Sequence, residues 1–320
     1  MSARAPQISI ALATCNGERW LDEQLESLLA QTLPPCELVA CDDASSDGTW
    51  AMLERFAPRF GSARLLRNPR NLGLRANFER VLRQCRGEWI APCDQDDVWR
   101  ADKLERLAAA IGPDTTLVYS DSELIDAEGR ALHARVSDRL TLVDGHDPRV
   151  FALANCVSGH AMLIRRSVLD AALPLPDGVY HDWWLAFVAA NLGAIRLVDE
   201  PLVRFRQHTT NASAFGGRRG ADKPLPAQRH AAQQRDLDAL AAFDGPERAF
   251  FVELAALWRT RSGHALAPAL AAFLWRHRRA VFASRKPAPG SARHALRYLW
   301  GVRSSSRAAP PRPERAQPPR

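Results

Sequence analysis

The sequence predicts an α/β fold built on a mostly parallel sheet, and three observations favour this class. Between residues 7 and 99, short apolar runs alternate with amphipathic helical stretches at about 30-residue spacing, which is typical of βαβ units. A loop dense in carboxylates and hydroxyls, 42–49, and a cluster of carboxylates, 94–97, follow two of these runs. The chain of 320 residues is 46% hydrophobic and 25% charged, as in soluble globular proteins. Because no 18-residue uncharged apolar run occurs, no membrane-spanning helix is expected.

The elements of the first half follow from periodicity and from turn residues. The run 7–13 is rich in Ile and Leu and predicts the first strand, which we prefer to a signal peptide because the run is short. Leucines at 21, 25, 28 and 29 share one face of the helix that follows, and Pro34-Pro35 ends this unit. The predicted strands of this half are 7–13, 37–41, 63–67 and 89–93, and the predicted helices are 20–31, 49–56 and 75–85.

The second half is less regular. It predicts strands at 117–120, 161–164, 195–198 and 202–205 and an apolar helix at 181–191. The composition shifts at Ala212, a glycine-rich linker follows at 216–220, and the remainder is rich in Ala and Arg. We therefore expect a catalytic domain at 1–215, a basic helical region at 216–301 and a disordered tail at 302–320.

Charge is distributed unevenly along the chain. Residues 276–320 hold 12 Lys or Arg against the single acid Glu314, a balance of +11. Since the whole chain carries +7, the other 275 residues carry 7 − 11 = −4. This asymmetry predicts an anionic partner for the tail. The six cysteines form no CxxC pair and indicate reduced thiols in the cytosol.

Three carboxylates, Asp94, Asp96 and Asp97, follow the apolar run 89–93. Like charges this close repel one another, so a cation among them would stabilise their ionised forms. A hard divalent ion prefers one or two carboxylates together with waters and phosphate oxygens. The cluster therefore predicts a platform for a metal and a diphosphate. The alternative is an acidic turn whose last aspartate caps a helix beginning near Ala101.

The loops 14–17, 42–49 and 94–97 should converge, because the strands of a parallel sheet all point the same way. The crevice between them has neither a GxGxxG nor a P-loop motif, so a metal on Asp96 would have to neutralise a diphosphate. In this crevice Asp43 could accept from the N3–H of a pyrimidine base, and Asp94 could hold a ribose hydroxyl. The alternative for Asp42 and Asp43 is that they shape the turn and cap the second helix.

Two residues further along could complete the chemistry. Asp182 lies beside two tryptophans at the start of an apolar helix, where a carboxylate near a dry surface can act as a base. The alternative is a helix N-terminal acid next to core tryptophans. His208 follows Arg206 and could ligate a metal or contact a phosphate, although a lone histidine is more often a surface or packed residue.

Taken together, these blocks resemble the inverting family-two glycosyltransferases of the GT-A fold, a Rossmann-like nucleotide-diphospho-sugar transferase fold. The resemblance extends over about residues 7–212, and its last blocks look most like the rhamnosyltransferase-type branch. The matching segments are Ala13–Gly17, Asp42–Thr49, Asn71–Gly73 with Asn77, Asp94–Trp99, Gly159, His181–Trp184, and Arg206–His208 with Asn211.

The resemblance implies a role for individual residues. Asp182 would be the general base on the acceptor hydroxyl, and Asp96 with His208 would hold Mg²⁺ or Mn²⁺. Asp43 would bind uracil or thymine. The residues implied in binding the nucleotide sugar are Thr14, Asn16, Asp43, Arg75, Asp94 and Arg206.

Two features depart from the family pattern. Cys15 stands where the family often has Tyr, which puts base stacking there in doubt. The C-terminal hundred residues match no pattern of the family. In the stretch 272–303, aromatics alternate with Arg and Lys, which suits an anionic membrane surface, or else these helices pack on the catalytic domain.

The expected function is transfer of rhamnose from dTDP-rhamnose to a saccharide or lipid-linked acceptor in bacterial surface polysaccharide synthesis. The expected location is the cytoplasm, with the basic region on the inner face of the cytoplasmic membrane. Alternatives are a hexosyltransferase that uses a UDP-sugar and a non-catalytic protein that binds nucleotides or nucleic acid. A nucleotidyltransferase is disfavoured because the loop 14–17 has no basic glycine-rich motif. No nucleic-acid partner is expected, since the clustered acids would repel phosphates.

Overall fold

A nine-stranded sheet organises the chain in the computed structural model, which describes residues 5–209, 225–261, 266–286 and 289–299. The strands are β1 (Ile8–Thr14), β2 (Glu37–Asp42), β3 (Ala63–Arg67), β4 (Trp89–Cys93), β5 (Val98–Trp99), β6 (Thr115–Ile125), β7 (Ala131–Arg135), β8 (Met162–Arg165) and β9 (Ala194–Arg206). They lie in the order β3-β2-β1-β4-β8-β6-β9-β5, and β7 pairs with β6.

The predicted α/β class with the GT-A arrangement is confirmed. Strands β3, β2, β1 and β4 are all parallel, as the alternation of strands and helices predicts. Strand β8 then inserts antiparallel to both β4 and β6, and β6 pairs parallel with β9. The sheet is therefore mixed, and its parallel half carries the loops at which a ligand would bind.

Helices cover the sheet and complete the described part of the chain. The apolar helix α6 is buried along most of its length, from Trp184 to Ala190. This agrees with a sequence that is hydrophobic on all sides. The helices are α1 (Glu18–Leu29), α2 (Thr49–Phe56), α3 (Leu74–Gln84), α4 (Lys103–Ala109), α5 (Arg166–Ala172), α6 (His181–Leu192), α7 (Pro226–Ala242), α8 (Arg248–Arg259), α9 (Pro268–Arg276), α10 (Arg278–Val281) and α11 (Ala292–Leu296).

The C-terminal helices share one apolar core with the catalytic half. Leu237 of α7 and Phe251 of α8 belong to the same buried cluster as Phe187 of α6. The expected boundary at 215/216 and the expected tail at 302–320 lie outside the described residues. Within the described ranges, every helix is too short or too polar to cross a bilayer.

Candidate active site

Three loops meet at the carboxyl ends of β1, β2 and β4, as expected. Thr14 donates from Oγ1 to Asp42 Oδ1 at 3.2 Å, and Gly17 N donates to Thr49 Oγ1 at 2.8 Å. Asn16 has a left-handed φ of 50°, and its Oδ1 accepts from Ser46 N at 2.9 Å. The loops after β1 and β2 are therefore joined by side-chain hydrogen bonds.

Asp43 is held by the segment that begins α3. Its Oδ1 accepts from Leu72 N at 2.8 Å and from Asn68 Nδ2 at 2.6 Å, and its Oδ2 accepts from Gly73 N at 2.9 Å. Gly73 has a φ of 86°, a conformation that glycine adopts without strain. Asp43 is thus fixed by three donors while it lines the cavity, and its Oδ2, with one of these donors, still has acceptor capacity.

Asp96 and His208 form a close pair at the cavity wall. The distance from His208 Nε2 to Asp96 Oδ2 is 2.8 Å, and both side chains are mostly buried, at 7% and 16% exposed. The imidazole stacks on Trp20, with ring centroids 4.0 Å apart. The indole of Trp20 donates in turn to the carbonyl of Ala127 at 2.9 Å. Trp20 therefore sets the orientation of the His208 ring.

Asp182 lies in the first turn of α6 and lines the same cavity as the Asp96–His208 pair. Its Oδ1 accepts from Trp183 N at 2.7 Å, and the backbone of Gly159 also bonds to its carboxylate. Burial raises the pKa of Asp182 to about 6. The indole N–H groups of the neighbouring tryptophans are hydrogen-bonded to the backbone, since Trp183 donates to Phe151 O and Trp184 donates to Ala172 O.

Sequence reasoning missed that Asp94 belongs to a group of polar residues that extends from the cavity wall into the protein interior. His160 Nδ1 lies 3.4 Å from Asp97 Oδ2 and 3.9 Å from Asp94 Oδ2, and Asp94, Asp97 and His160 could together hold an ion. Asp97 is fully buried, and its Oδ2 has no hydrogen-bond partner among the described residues. The ammonium of Lys103 is buried over the ring of Trp99, 3.1 Å from the centroid, and donates to His160 O.

Burial and neighbouring charges shift the pKa values of this interior group. Burial and the Asp96 carboxylate raise the pKa of both Asp94 and Asp97 well above the ordinary aspartate value. Burial lowers the pKa of Lys103 to about 7, and burial with the Lys103 charge lowers the pKa of His160 to about 3. The His160 ring is therefore neutral near pH 7, and its Nε2 contacts Ser122 Oγ at 3.0 Å.

One cavity of about 650 Å³ joins these groups. Its volume is within the range of small-molecule sites. Beyond the sequence-predicted residues, its lining includes Trp20, Val157, His160 and Tyr180. The sequence-predicted site residues that line it are Thr14, Asn16, Asp43, Asp94, Asp96, Asp182 and His208.

Arg75 and Arg206 do not line this cavity, which differs from the expectation for both. Arg75 donates to Leu175 O at 2.7 Å and to Asp177 Oδ1 at 2.6 Å, so it secures the segment that leads into α6. Arg206 is 1% exposed and donates from Nε to Asp96 O at 2.7 Å and from Nη2 to Glu23 at 2.5 Å. Both guanidinium groups are thus turned toward protein acceptors beside or beneath the cavity.

Comparisons with solved structures agree with the overall fold described above. In overall fold, the chain is similar to S. aureus TarS 1–349 in complex with UDP-GlcNAc, with a TM-score of 0.58 and 17% identity over 87% of this chain and 84% of that one. It is also similar to the mannosyltransferase PcManGT from Pyrobaculum calidifontis in complex with GDP-Man and Mn²⁺, with a TM-score of 0.52 and 19% identity over 79% and 70% of the two chains.

Comparisons of sequence identify the family of the chain. An uncharacterized protein of Mycobacterium tuberculosis is 30% identical over 221 residues, which are 66% of this chain and 62% of the relative's own length. A putative glycosyltransferase, EpsE of Bacillus subtilis, is 35% identical over 105 residues, which are 32% of this chain and 38% of that protein. The model of the family described as "Glycosyl transferase family 2" matches residues 9–173, about half of the chain. The chain therefore belongs to glycosyl transferase family 2.

Proposed function

We propose that the protein transfers a sugar, with inversion, from a nucleoside diphosphate donor to an acceptor hydroxyl. The observation that carries this proposal is that Asp43, the Asp96–His208 pair and Asp182 line one cavity. A nucleotide-binding acid, a ligand pair for a cation and a carboxylate that can act as a base are the three groups that such a reaction needs. The complexes of TarS with UDP-GlcNAc and of PcManGT with GDP-Man support the same donor class.

The nucleoside would bind where the loops after β1 and β2 meet. Asp43 Oδ2 is the acceptor for the imide N–H of a pyrimidine base, with Thr14 and Asn16 beside it along the cavity wall. Asp94 lines the same cavity and would accept from a ribose hydroxyl. Arg75 and Arg206 have no direct part in this proposal, because neither of them lines the cavity.

The Asp96–His208 pair fits a divalent cation such as Mg²⁺ or Mn²⁺. Two adjacent ligands of an octahedral ion with bonds of roughly 2.1 Å lie about 3 Å apart. The 2.8 Å between His208 Nε2 and Asp96 Oδ2 is close to that separation. A carboxylate oxygen and an imidazole nitrogen are also ordinary ligands for Mn²⁺. When bound, such an ion would offset the charge that develops on the departing diphosphate.

The interior group of Asp94, Asp97 and His160 fits this role less well. Asp94 and His160 line the cavity but Asp97 does not, so an ion held by all three would lie partly behind the cavity wall. Lys103 already places a cationic group against this cluster, which disfavours a second cation. We therefore assign the diphosphate side to Asp96 and His208.

Asp182 would accept the proton of the acceptor hydroxyl as that oxygen attacks the anomeric carbon. Both Asp182 and the Asp96–His208 pair line the cavity, and we propose that they approach the sugar from opposite faces, so that attack and departure occur on opposite sides of the anomeric carbon. Displacement of this kind inverts the anomeric configuration. The raised pKa of Asp182, about 6, improves its strength as a base while leaving it ionised near neutral pH.

For the donor we propose dTDP-rhamnose, on the resemblance of the blocks at 94–99, 181–184 and 206–208 to the rhamnosyltransferase-type branch. Apolar side chains on the cavity wall, among them Leu140 and Val157, suit the methyl group of a 6-deoxy sugar. A UDP-hexose is the alternative donor. The proposed acceptor is a saccharide or lipid-linked saccharide in bacterial surface polysaccharide synthesis.

A thermal-shift screen of dTDP-, UDP- and GDP-sugars with and without Mn²⁺ tests this proposal. We expect one nucleotide class to raise Tm in a metal-dependent way, because it binds only the folded state. The stabilising donor should then be hydrolysed slowly in the absence of acceptor, with release of the nucleoside diphosphate. No stabilisation by any of the three classes would contradict the function, and stabilisation without turnover of the donor would favour the non-catalytic alternative.

We also propose that the C-terminal helices bind an anionic membrane surface near the lipid-linked acceptor. Most apolar residues of this region are buried in the protein core, including Phe273, Leu274 and Phe282. Among the described residues of these C-terminal helices, the exposed large aromatic is Trp275, which is 45% exposed beside Arg276 and Arg278. The membrane contact would therefore be a small aromatic and basic patch rather than the whole region.

Flotation with liposomes tests the membrane contact. Point substitutions are the appropriate change because truncation near residue 216 would expose the core that α7 and α8 share with α6. We expect wild-type protein to float with vesicles of 30% phosphatidylglycerol in phosphatidylcholine, and a Trp275→Ser/Arg276→Ser/Arg278→Ser variant to float less, since each basic residue contributes about 1 kcal/mol. Exposed Arg19→Ser, on the opposite half of the chain, is the control. Equal flotation of all three proteins would contradict the proposal.

A further inference from the structure

The side chain of Gln95 joins the loop after β4 to the loop after β1. Its Oε1 accepts from Cys15 N at 2.7 Å, and its Nε2 donates to Cys15 O at 3.0 Å. Both polar groups of the amide are therefore paired with both backbone groups of one residue. These two hydrogen bonds resemble those between the backbones of neighbouring strands, with a side-chain amide in place of one backbone.

This contact begins where the sheet ladder ends. Strands β1 and β4 are parallel neighbours, and the last registered pair is Leu12 with Cys93. Beyond it, the two loops leave the sheet side by side without further backbone pairing in that register. The amide of Gln95 therefore fixes the distance between the loops one residue past the end of β1 and two residues past the end of β4.

Gly17 supplies the space for this amide. A Cβ at Gly17 would lie 2.3 Å from Gln95 Oε1 and 2.5 Å from its Cδ, so an alanine there would displace the Gln95 side chain. The backbone of Gly17, with φ of −101° and ψ of 4°, is not in the left-handed region that favours glycine. The lack of a side chain at Gly17 is explained by Gln95 and not by the backbone.

The two loops carry different parts of the proposed site. Cys15 lies between Thr14 and Asn16 on the nucleoside side, and Gln95 lies between Asp94 and Asp96 on the cation side. A nucleoside diphosphate would contact both, with its base beside the first loop and its ribose, through Asp94, and its phosphates at the second. The phosphates are held at the second loop together with a cation, so the spacing of the loops matters most for binding in the presence of the metal.

We propose that Gln95 is a positioning residue, which holds the nucleoside loop and the cation loop at the spacing that a metal-bound nucleoside diphosphate requires. This inference rests on the proposed nucleotide-sugar function. Loss of the amide contact should weaken metal-dependent binding of the diphosphate and leave metal-independent binding nearly unchanged. A purely structural role would instead weaken both.

Calorimetric titration with UDP, dTDP or GDP, whichever binds wild type most tightly, tests the inference in Mn²⁺ and in EDTA. We expect Gln95→Ala and Gly17→Ala each to weaken binding in Mn²⁺ by about tenfold and to leave binding in EDTA within about twofold. The double variant should be no weaker than either single variant, because both remove the same contact. Gln84→Ala, a partly buried glutamine outside the cavity, should match wild type.

Hydrogen exchange provides a readout that needs no ligand. The amide of Cys15 should lose protection in both single variants, while the amides of β1 and β4 keep theirs. Unchanged binding in Mn²⁺, or equal weakening in Mn²⁺ and EDTA, would overturn the inference while the proposed function stands. Failure of wild type to bind any of the three nucleotides in Mn²⁺ would overturn the proposed function, and the inference with it.

Discussion

Asp182→Asn is expected to lower kcat by about 10²–10⁴-fold, the usual contribution of a general base. The amide keeps the shape of the side chain and can still accept from Trp183 N, so the start of α6 should stay in place. It cannot accept the proton of the acceptor hydroxyl at neutral pH. The affinity for the nucleoside diphosphate should change by no more than about twofold, because the proposed partner of Asp182 is the acceptor hydroxyl and not the nucleotide. Steady-state kinetics and calorimetry measure the two quantities.

The pH dependence of wild-type kcat is the control for this assignment. Asp182 must be ionised to act as a base, and burial raises its pKa to about 6. The rate should therefore be constant above this pKa and fall about tenfold for each pH unit well below it. The variant should lose this dependence, and Asp170→Asn, an exposed aspartate on α5, should keep both rate and profile. Near wild-type kcat in Asp182→Asn would contradict the role of Asp182.

Asp96→Ala is expected to remove the gain in nucleotide affinity that Mn²⁺ provides. The substitution deletes the carboxylate 2.8 Å from His208 Nε2, and a lone imidazole holds a divalent cation weakly. Titration of the nucleoside diphosphate should give a Kd in Mn²⁺ that is weaker than wild type by on the order of tenfold or more. The Kd in EDTA should stay near the wild-type value, because the nucleoside contacts are intact.

Asp22→Ala is a matched control for this experiment. Asp22 is an exposed carboxylate on α1 that pairs with Arg55 and lies outside the cavity. Its removal changes the net charge by the same amount without touching the proposed ligands, so the Mn²⁺-dependent gain should be retained. If Asp96→Ala kept a wild-type difference between titrations in Mn²⁺ and in EDTA, the cation would have to be bound elsewhere.

The parallel half of the fold could be predicted because its strands are mostly buried apolar runs. Strands β3 and β4 and helix α2 have the predicted bounds, since apolar runs flanked by turn residues mark them clearly. The expected break between 198 and 202 is absent, because β9 continues through Asp199-Glu200-Pro201 with an irregular register against β6. Strands β5 and β7 were missed, since two residues or an exposed run carry little pattern.

The candidate site was likewise predicted from the sequence only in part. Convergence of the three loops follows from strand direction alone, so the sequence is enough to place the residues on them together. The alternative in which Asp97 caps the next helix is wrong, because β5 separates it from α4, which begins at Lys103. The pairing of Asp97 with His160 joins residues 63 positions apart and leaves no local signal. A lysine six residues after three clustered acids was the one signal for a buried cation.

The destinations of Arg75 and Arg206 could not be read from the sequence either. Both are the expected type of residue for a diphosphate, but their acceptors lie on distant segments, at Asp177 and Glu23. A long flexible side chain at the edge of a site can extend into the cavity or toward acceptors on the protein. Its direction is decided by which acceptors the tertiary fold brings near.

The most direct test of the account is the position of Mn²⁺ in crystals grown with the ion and the stabilising nucleotide sugar, located by anomalous scattering. The account predicts one ion bound by Asp96 and His208 and by phosphate oxygens, with the Asp182 carboxylate facing the anomeric carbon from the opposite side. An ion held instead by Asp94, Asp97 and His160 would contradict it, as would Asp182 turned away from the sugar.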